Sequence, residues 1–197
     1  MFRYFLIYKP FGMLSQFSRE GDHPTLADLD YVFPKDIYPV GRLDADSEGL
    51  LLLTNDNFLK TRLLDPKNKH LRTYYVQVDG DITHEACHEL AQGVAITING
   101  KAYKTLPSIA KLIDTPELPE RSPPVRFRKN IPTSWLSISL YEGKNRQVRK
   151  MTAAVGFPTL RLVRWAIGRT TLLSGDKNFV APGTVWEMTK EETRLLF

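Results

Sequence analysis

The spacing of apolar residues changes several times along this chain, and each change marks an element. Residues 3–8, Arg3-Tyr4-Phe5-Leu6-Ile7-Tyr8, are an apolar run of strand length closed by Lys9-Pro10-Phe11-Gly12. Proline removes a ladder donor and glycine favours a turn. Residues 13–17 read as the returning partner of that strand, and 18–38 as turn-rich. At 50–54 the run Leu50-Leu51-Leu52-Leu53-Thr54 is continuous instead of alternating, the pattern of a strand buried on both faces. Asn55 or Asp56 can then cap a short helix through residue 64, ended by Asp65-Pro66-Lys67-Asn68. Residues 71–79 alternate with strand period, which puts Tyr74 and Tyr75 on opposite faces. Thr83 is placed to cap the next helix and Gly93 to end it.

Residues 94–114 predict two or three strands around Asn99-Gly100, a strong hairpin signal. Residues 115–133 carry Pro116, Pro119, Pro123, Pro124 and Pro132, and read as a long excursion. The sequence leaves open whether it orders only on binding a partner. Residues 134–142 are a strand. A helix over 145–155 is the best defined, with Val148, Met151, Thr152 and Val155 forming a buried stripe and Arg146, Arg149 and Lys150 on another face. Gly156 and Pro158 stop it. Residues 159–167 make another strand, and Thr189-Lys190-Glu191-Glu192 is a capping box opening a short C-terminal helix. Many strands, few helices and no βαβ rhythm predict an α+β fold: a largely antiparallel, mixed sheet flanked by a few helices and loops.

Composition narrows the function classes. The 197 residues, 42% hydrophobic and 25% charged, suit one soluble globular domain or two small lobes. The single cysteine, Cys87, excludes an internal disulfide and fits a reducing cytoplasm. The N-terminal apolar run is too short for a signal peptide, no run is long enough for a membrane span, and His and Cys show no zinc spacing. Net charge is only +5, but residues 121–169 hold eleven Lys or Arg against one acid, Glu142. That segment is +10 and the remainder −5, a segregation that predicts a polyanionic partner. Phe127, Trp135, Tyr141, Phe157 and Trp165 sit among the cations, as nucleic-acid recognition requires: arginines hold phosphates while rings stack on bases.

The candidate chemistry lies just before the 50–54 strand. Gly41-Arg42-Leu43-Asp44-Ala45-Asp46-Ser47-Glu48-Gly49 sets an arginine and three acids in a tight loop anchored by a buried strand. A carboxylate on a rigid element beside an arginine suits a nucleophile or a base. The acids also mimic the start of a calcium loop, but the twelfth position is Asn55, where such a loop needs a bidentate glutamate, and no helix pattern precedes it.

Three segments share one explanation: Gly41-Arg42-Leu43-Asp44; Arg72-Thr73-Tyr74-Tyr75-Val76; and Glu142-Gly143-Lys144-Asn145-Arg146-Gln147-Val148-Arg149-Lys150-Met151. Together they resemble the pseudouridine synthases, in the branch acting on ribosomal RNA. The resemblance extends from Lys9-Pro10-Phe11-Gly12 to Leu162-Val163-Arg164-Trp165-Ala166-Ile167-Gly168. Over 123–164 it is strongest toward a large-subunit type without an N-terminal S4-like RNA-binding domain. The resemblance implies a single catalytic domain over 1–197, with two lobes around a central cleft and no S4-like domain. It implies that Asp44 attacks or deprotonates the ribose of a flipped-out uridine, and leaves open whether a bond to C1′ forms or a glycal route is followed. Arg42 would enter the RNA where the base leaves, with Leu43 beside it. Tyr74 would stack on the base, with Tyr75 a second candidate, Arg149 would pair with Asp44, and Leu162 would pack on the pocket. Arg126, Arg128, Arg146 and Lys150 would hold RNA. Arg72 stands where the family usually has lysine, which keeps the charge. The reaction breaks the N–C glycosidic bond, rotates the uracil and rejoins it through C5, a redox-neutral course with no cofactor or metal. The implied partner is large-subunit (23S) ribosomal RNA or a ribosome assembly intermediate, and the implied location is the cytoplasm.

 Nothing in the sequence indicates an oligomer, so the expectation is a monomer that touches no membrane.

Two readings from other classes compete. A non-catalytic ribosomal-RNA-binding or assembly factor would use the same basic surface and be indifferent to Asp44→Ala. A metal-dependent nuclease built on Asp44, Asp46 and Glu48 would lose activity with a chelator.

Overall fold

The computed structural model describes residues 1–125, 131–173 and 180–197. In chain order the elements are β1 (Tyr4–Lys9), β2 (Tyr38–Pro39), β3 (Glu48–Thr54), α1 (Asn57–Leu64), β4 (Arg72–Asp79), α2 (His84–Gln92), β5 (Ala95–Ile98) and β6 (Lys101–Lys104). They continue with β7 (Ile109–Ile113), β8 (Thr133–Leu140), α3 (Gln147–Ala154), β9 (Thr159–Ile167), β10 (Thr170–Thr171) and β11 (Val185–Met188). The chain divides into two compact units, Met1–His70 with Val163–Phe197, and Leu71–Leu162.

In the first unit, β1 lies between β11 and β3, antiparallel to both. Both its edges are therefore taken, which explains why residues 13–17 do not return as a strand. They run irregularly instead, tied by Leu14 N to Pro24 O at 2.8 Å and Leu26 N to Gln16 O at 2.9 Å. Every residue of β1 and of β3 is buried, in line with the continuous apolar run of 50–54. Phe5 and Ile7 stand opposite Leu53 and Leu51, and this face packs with Met13, Leu26 and Ile37. Each such aliphatic side chain contributes roughly 1.5–3 kcal/mol by burial. The strand starts two residues earlier than the leucines because Glu48 and Gly49 pair in parallel with Val163 and Arg164 of β9. Gly49 has φ +108, and a Cβ there would lie 2.4 Å from the Arg164 carbonyl oxygen, so only glycine permits this approach.

In the second unit, β8 lies between β4 and β7, antiparallel to both. Asn99 (φ 49) and Gly100 (φ 77) turn the separate β5–β6 hairpin, the left-handed pair that Asn-Gly favours. Val76 and Val78 of β4, Leu90 of α2, Leu136 and Ile138 of β8, and Met151 of α3 share one core. The fold is α+β with a mixed sheet, as the element order predicts.

Two helices differ from expectation. The basic helix begins at Gln147, not 145, because Arg146 is left-handed (φ 52, ψ 33) and has no side-chain capping bond. Its end is as predicted: Gly156 takes φ 90, and Phe157 N bonds Thr152 O at 2.9 Å. The C-terminal capping box forms, with Thr189 N to Glu192 Oε2 at 2.7 Å, but it opens a 3-10 segment, Glu192–Leu196. Among the described residues, no helix is long and apolar enough to cross a membrane.

Candidate active site

The Asp44 loop is fixed by its neighbours in the first unit. Ser15, buried, accepts from Leu43 N at 3.0 Å and donates to Leu43 O at 2.8 Å, which clamps the residue before Asp44 from both sides. Gly12 N bonds Ala45 O at 2.7 Å on the other side. Ser47 N closes the turn onto Asp44 O at 3.0 Å. Downstream, the buried Arg164 donates from Nε to Leu50 O at 2.6 Å. Arg42 is exposed, Leu43 buried and Asp44 half-buried. The loop therefore offers a carboxylate of fixed backbone with a cation two residues away.

Lys9 is the anchor the sequence did not reveal as such. Its side chain is fully buried, and Nζ donates to Met13 O at 2.6 Å, Pro10 O at 2.8 Å and, at 3.4 Å, Ala45 O. Burial pushes the amine down to about 7, against the opposing pull of Glu48, Asp46 and Asp44, with Arg164 adding to the decrease. The sequence marks Lys9-Pro10 as a strand terminator and as the first stretch of the resemblance, and not as an anchor of the Asp44 loop. The available signal was a lysine continuing a wholly apolar strand straight into a proline turn.

The second unit carries the remaining candidates. Tyr74 is half-buried on β4 and packs against the core that holds Val148, Met151 and Leu162. Tyr75 lies on the opposite face of the strand, as its alternation requires. Leu162 is buried within that core. Arg149 and Lys150 are half-buried on α3, whereas Arg146 is exposed and precedes the helix, so the expected three-residue basic face is a helical pair plus a left-handed turn residue. Arg126 and Arg128 lie outside the described residues.

A buried network holds this turn. Glu142 accepts from Tyr103 Oη, from Leu106 N at 2.9 Å and from Gln147 Nε2 at 2.7 Å, while Gln147 Oε1 accepts from Lys144 N at 2.9 Å. The bond to Glu142, with burial, pushes the Tyr103 phenol up to about 12. The only acid of the basic segment is thus inward-facing and structural. Two of its cations are as well: Arg161 and Arg164 are buried, and Arg161 Nη2 donates to Pro119 O at 2.8 Å. The charge count of 121–169 overstates the cationic surface for that reason.

The structure thus keeps Arg42, Leu43 and Asp44 together on one loop, and Tyr74, Arg146, Arg149, Lys150 and Leu162 within the other unit. Among the described residues, no group of three or more His, Cys, Asp or Glu side chains is placed to hold a metal ion, so Asp44, Asp46 and Glu48 do not form the ligand set of the nuclease reading.

A family model described as RNA pseudouridylate synthase matches residues 3–154. The chain belongs to the RNA pseudouridylate synthase family. Ribosomal large subunit pseudouridine synthase E of Vibrio parahaemolyticus is 52% identical to this family member over 164 residues, 83% of the chain and 66% of that protein. The chain thus spans about two thirds of the length of that relative. The protein of the same description in Xanthomonas campestris pv. campestris is 48% identical over 169 residues, 86% of the chain and 89% of that protein. A solved structure titled as a pseudouridylate synthase superposes with TM-score 0.78 at 26% identity, covering all of this chain and 74% of that one. The pseudouridine synthase fold implied by the three motifs is therefore present.

Proposed function

We propose that this protein isomerises a uridine to pseudouridine in large-subunit ribosomal RNA, with Asp44 acting on the ribose of a flipped-out nucleotide. The observation that carries the reading is the clamped Asp44 loop in a chain of this family: Ser15 and Gly12 hold the backbone on both sides of a half-buried carboxylate. Large-subunit specificity rests on the descriptions of the relatives. Flipping a base costs a few kcal/mol of unstacking, and stacking on Tyr74 returns about 1–3 kcal/mol. Arg149 balances the Asp44 charge, Arg42 fills the space the base vacates, and Leu43 and Leu162 hold the apolar backing. Arg146 and Lys150, with Arg126 and Arg128, neutralise phosphates. In the reaction the C1′–N1 bond breaks, the C1′–C5 bond forms, C5 releases its proton and N1 gains one. In this reading the two units act as one catalytic domain on a single nucleotide, and the protein works as a cytoplasmic monomer on rRNA or an assembly intermediate.

The test is tritium release from C5-labelled uridine in large-subunit rRNA, with wild type and Asp44→Ala side by side. Release by the wild type alone is expected. No release from free rRNA, from assembly intermediates or from small-subunit rRNA would leave an RNA-binding protein without the chemistry.

A further inference from the structure

A pocket of about 560 Å³ opens in the first unit on the Arg42 side of the Asp44 loop. It lies within the range of roughly 300–1,000 Å³ that small-ligand sites occupy. Gly41 and Arg42 form the wall shared with the loop, and Gln16, Phe17, Tyr38 and Lys60 supply much of the rest. Tyr38 pairs through its backbone with Thr54 of β3, yet its side chain is 58% exposed. Phe17 is held against the core and meets Phe33 edge-on at 5.3 Å, so one wall is a fixed aromatic surface. The guanidinium of Arg42 and the amine of Lys60 make no ion pair or side-chain hydrogen bond with any described residue. Of the three acids in the neighbouring 18–28 turn, Glu20 accepts from Gln16 Nε2 at 3.2 Å and Asp28 pairs with Arg19 at 2.7 Å.

We propose that this pocket binds an unpaired nucleotide flanking the target uridine, its base against Tyr38 and its phosphate between Arg42 and Lys60. The inference rests on the RNA-modifying reading above. An exposed ring with two unengaged cations matches what single-stranded nucleic acid needs: a stacking face for the base and positive charge along the backbone. The shared wall makes the occupant a neighbour of the nucleotide at Asp44 on the same strand. The pocket would then sort RNAs by whether the residue beside the target can leave its helix.

The experiment compares wild type with Tyr38→Ala, Tyr38→Phe and Lys60→Gln on C5-tritiated large-subunit rRNA, reading kcat, KM and the salt dependence of binding. Tyr38→Ala should raise KM about tenfold while kcat stays within about twofold, and Tyr38→Phe, which keeps the ring, should restore KM. Lys60→Gln should lower the salt slope by about one unit, whereas Tyr38→Ala leaves it unchanged. A second measurement needs no variant: 4-thiouridine-substituted rRNA should crosslink wild-type protein within the peptide containing Tyr38 or that containing Phe17. Unchanged KM and slope in a turning-over enzyme, or crosslinks confined to other peptides, overturn the subsite alone. Absence of wild-type turnover instead overturns the reading on which it rests.

Discussion

Around Asp44, the anchoring bonds are short, come from both sides of the loop, and include a buried lysine and a buried serine. Around Arg146, the network lies beneath the turn, and the cation itself stands exposed on a left-handed residue. In one region the proposed catalytic residue is part of what is held; in the other Glu142 and Gln147 brace the turn and Arg146 is exposed. The difference matches the two tasks proposed for these residues. A group acting on a ribose carbon needs a position good to a fraction of an ångström. A group neutralising a phosphate needs charge within reach and tolerates movement.

The strongest way to break this comparison is to separate chemistry from binding in the first unit. Asp44→Asn keeps shape and removes the charge, so tritium release should fall by about 10²–10⁴-fold or more. RNA affinity should change little, and the melting temperature should stay within a few degrees. A loss of binding that matches the loss of turnover would move Asp44 from the chemistry to the docking surface.

Removing the lysine beneath the loop should act on stability, with a defined pH dependence. The folded-state value of about 7 for Lys9 lies below the 10.5 of an exposed lysine. Between these two pH values the unfolded chain holds a proton that the folded chain has released, so raising pH through the window favours folding. Below about pH 7 both states are protonated, and the fold bears the burden of a buried ammonium. Lys9→Met does not titrate there and leaves the Met13 and Pro10 carbonyls without their donor. Wild type should therefore gain stability over Lys9→Met between pH 7 and 10, by up to a few kcal/mol. Urea unfolding at pH 6, 8 and 10 measures the gap. A gap that narrows with pH would mean that Glu48, Asp46 and Asp44 hold Lys9 as an ammonium.

In the second unit, the equivalent cut is Glu142→Ala, which leaves Tyr103 Oη and Leu106 N without this acceptor and Gln147 Nε2 with the Met151 sulfur at 3.7 Å. The expected loss of stability is about 2–4 kcal/mol. With the protein still folded at low temperature, KM for RNA should rise more than kcat falls if the turn it supports binds phosphate as proposed. A larger fall in kcat would make the network part of the catalytic geometry.

These regions were unequally legible in the sequence. The Asp44 loop stood out because a continuous leucine run has few structural meanings, and β3 is buried throughout as that run implies. The 71–79 and 159–167 strands followed from alternation and length, since those periods are set by the backbone itself. Lys9 was hidden because a fully buried lysine is rare and one of its three acceptors, Ala45 O, lies 36 residues away. Arg161 and Arg164 were counted among surface cations because sequence reports charge and not direction. The start of α3 was misplaced for a related reason: a left-handed arginine carries no mark comparable to glycine.

That arginine offers the smallest and most selective test. Arg146 holds φ 52 without a capping bond of its own, a conformation that disfavours side chains with a Cβ by roughly 1–2 kcal/mol and leaves glycine unstrained. Arg146→Gly should therefore raise stability by about 1 kcal/mol, whereas Arg146→Ala keeps the strain and should not. On the proposed role each variant removes one phosphate contact, so both should lower the salt slope of RNA binding by about one unit, as Lys150→Ala should. The combination of a firmer fold with weaker, less salt-sensitive binding would show that the left-handed turn exists to present the cation. If Arg146→Gly instead destabilises the protein while the slope is unchanged, the side chain secures the turn, and the contrast with the Asp44 loop loses its second half.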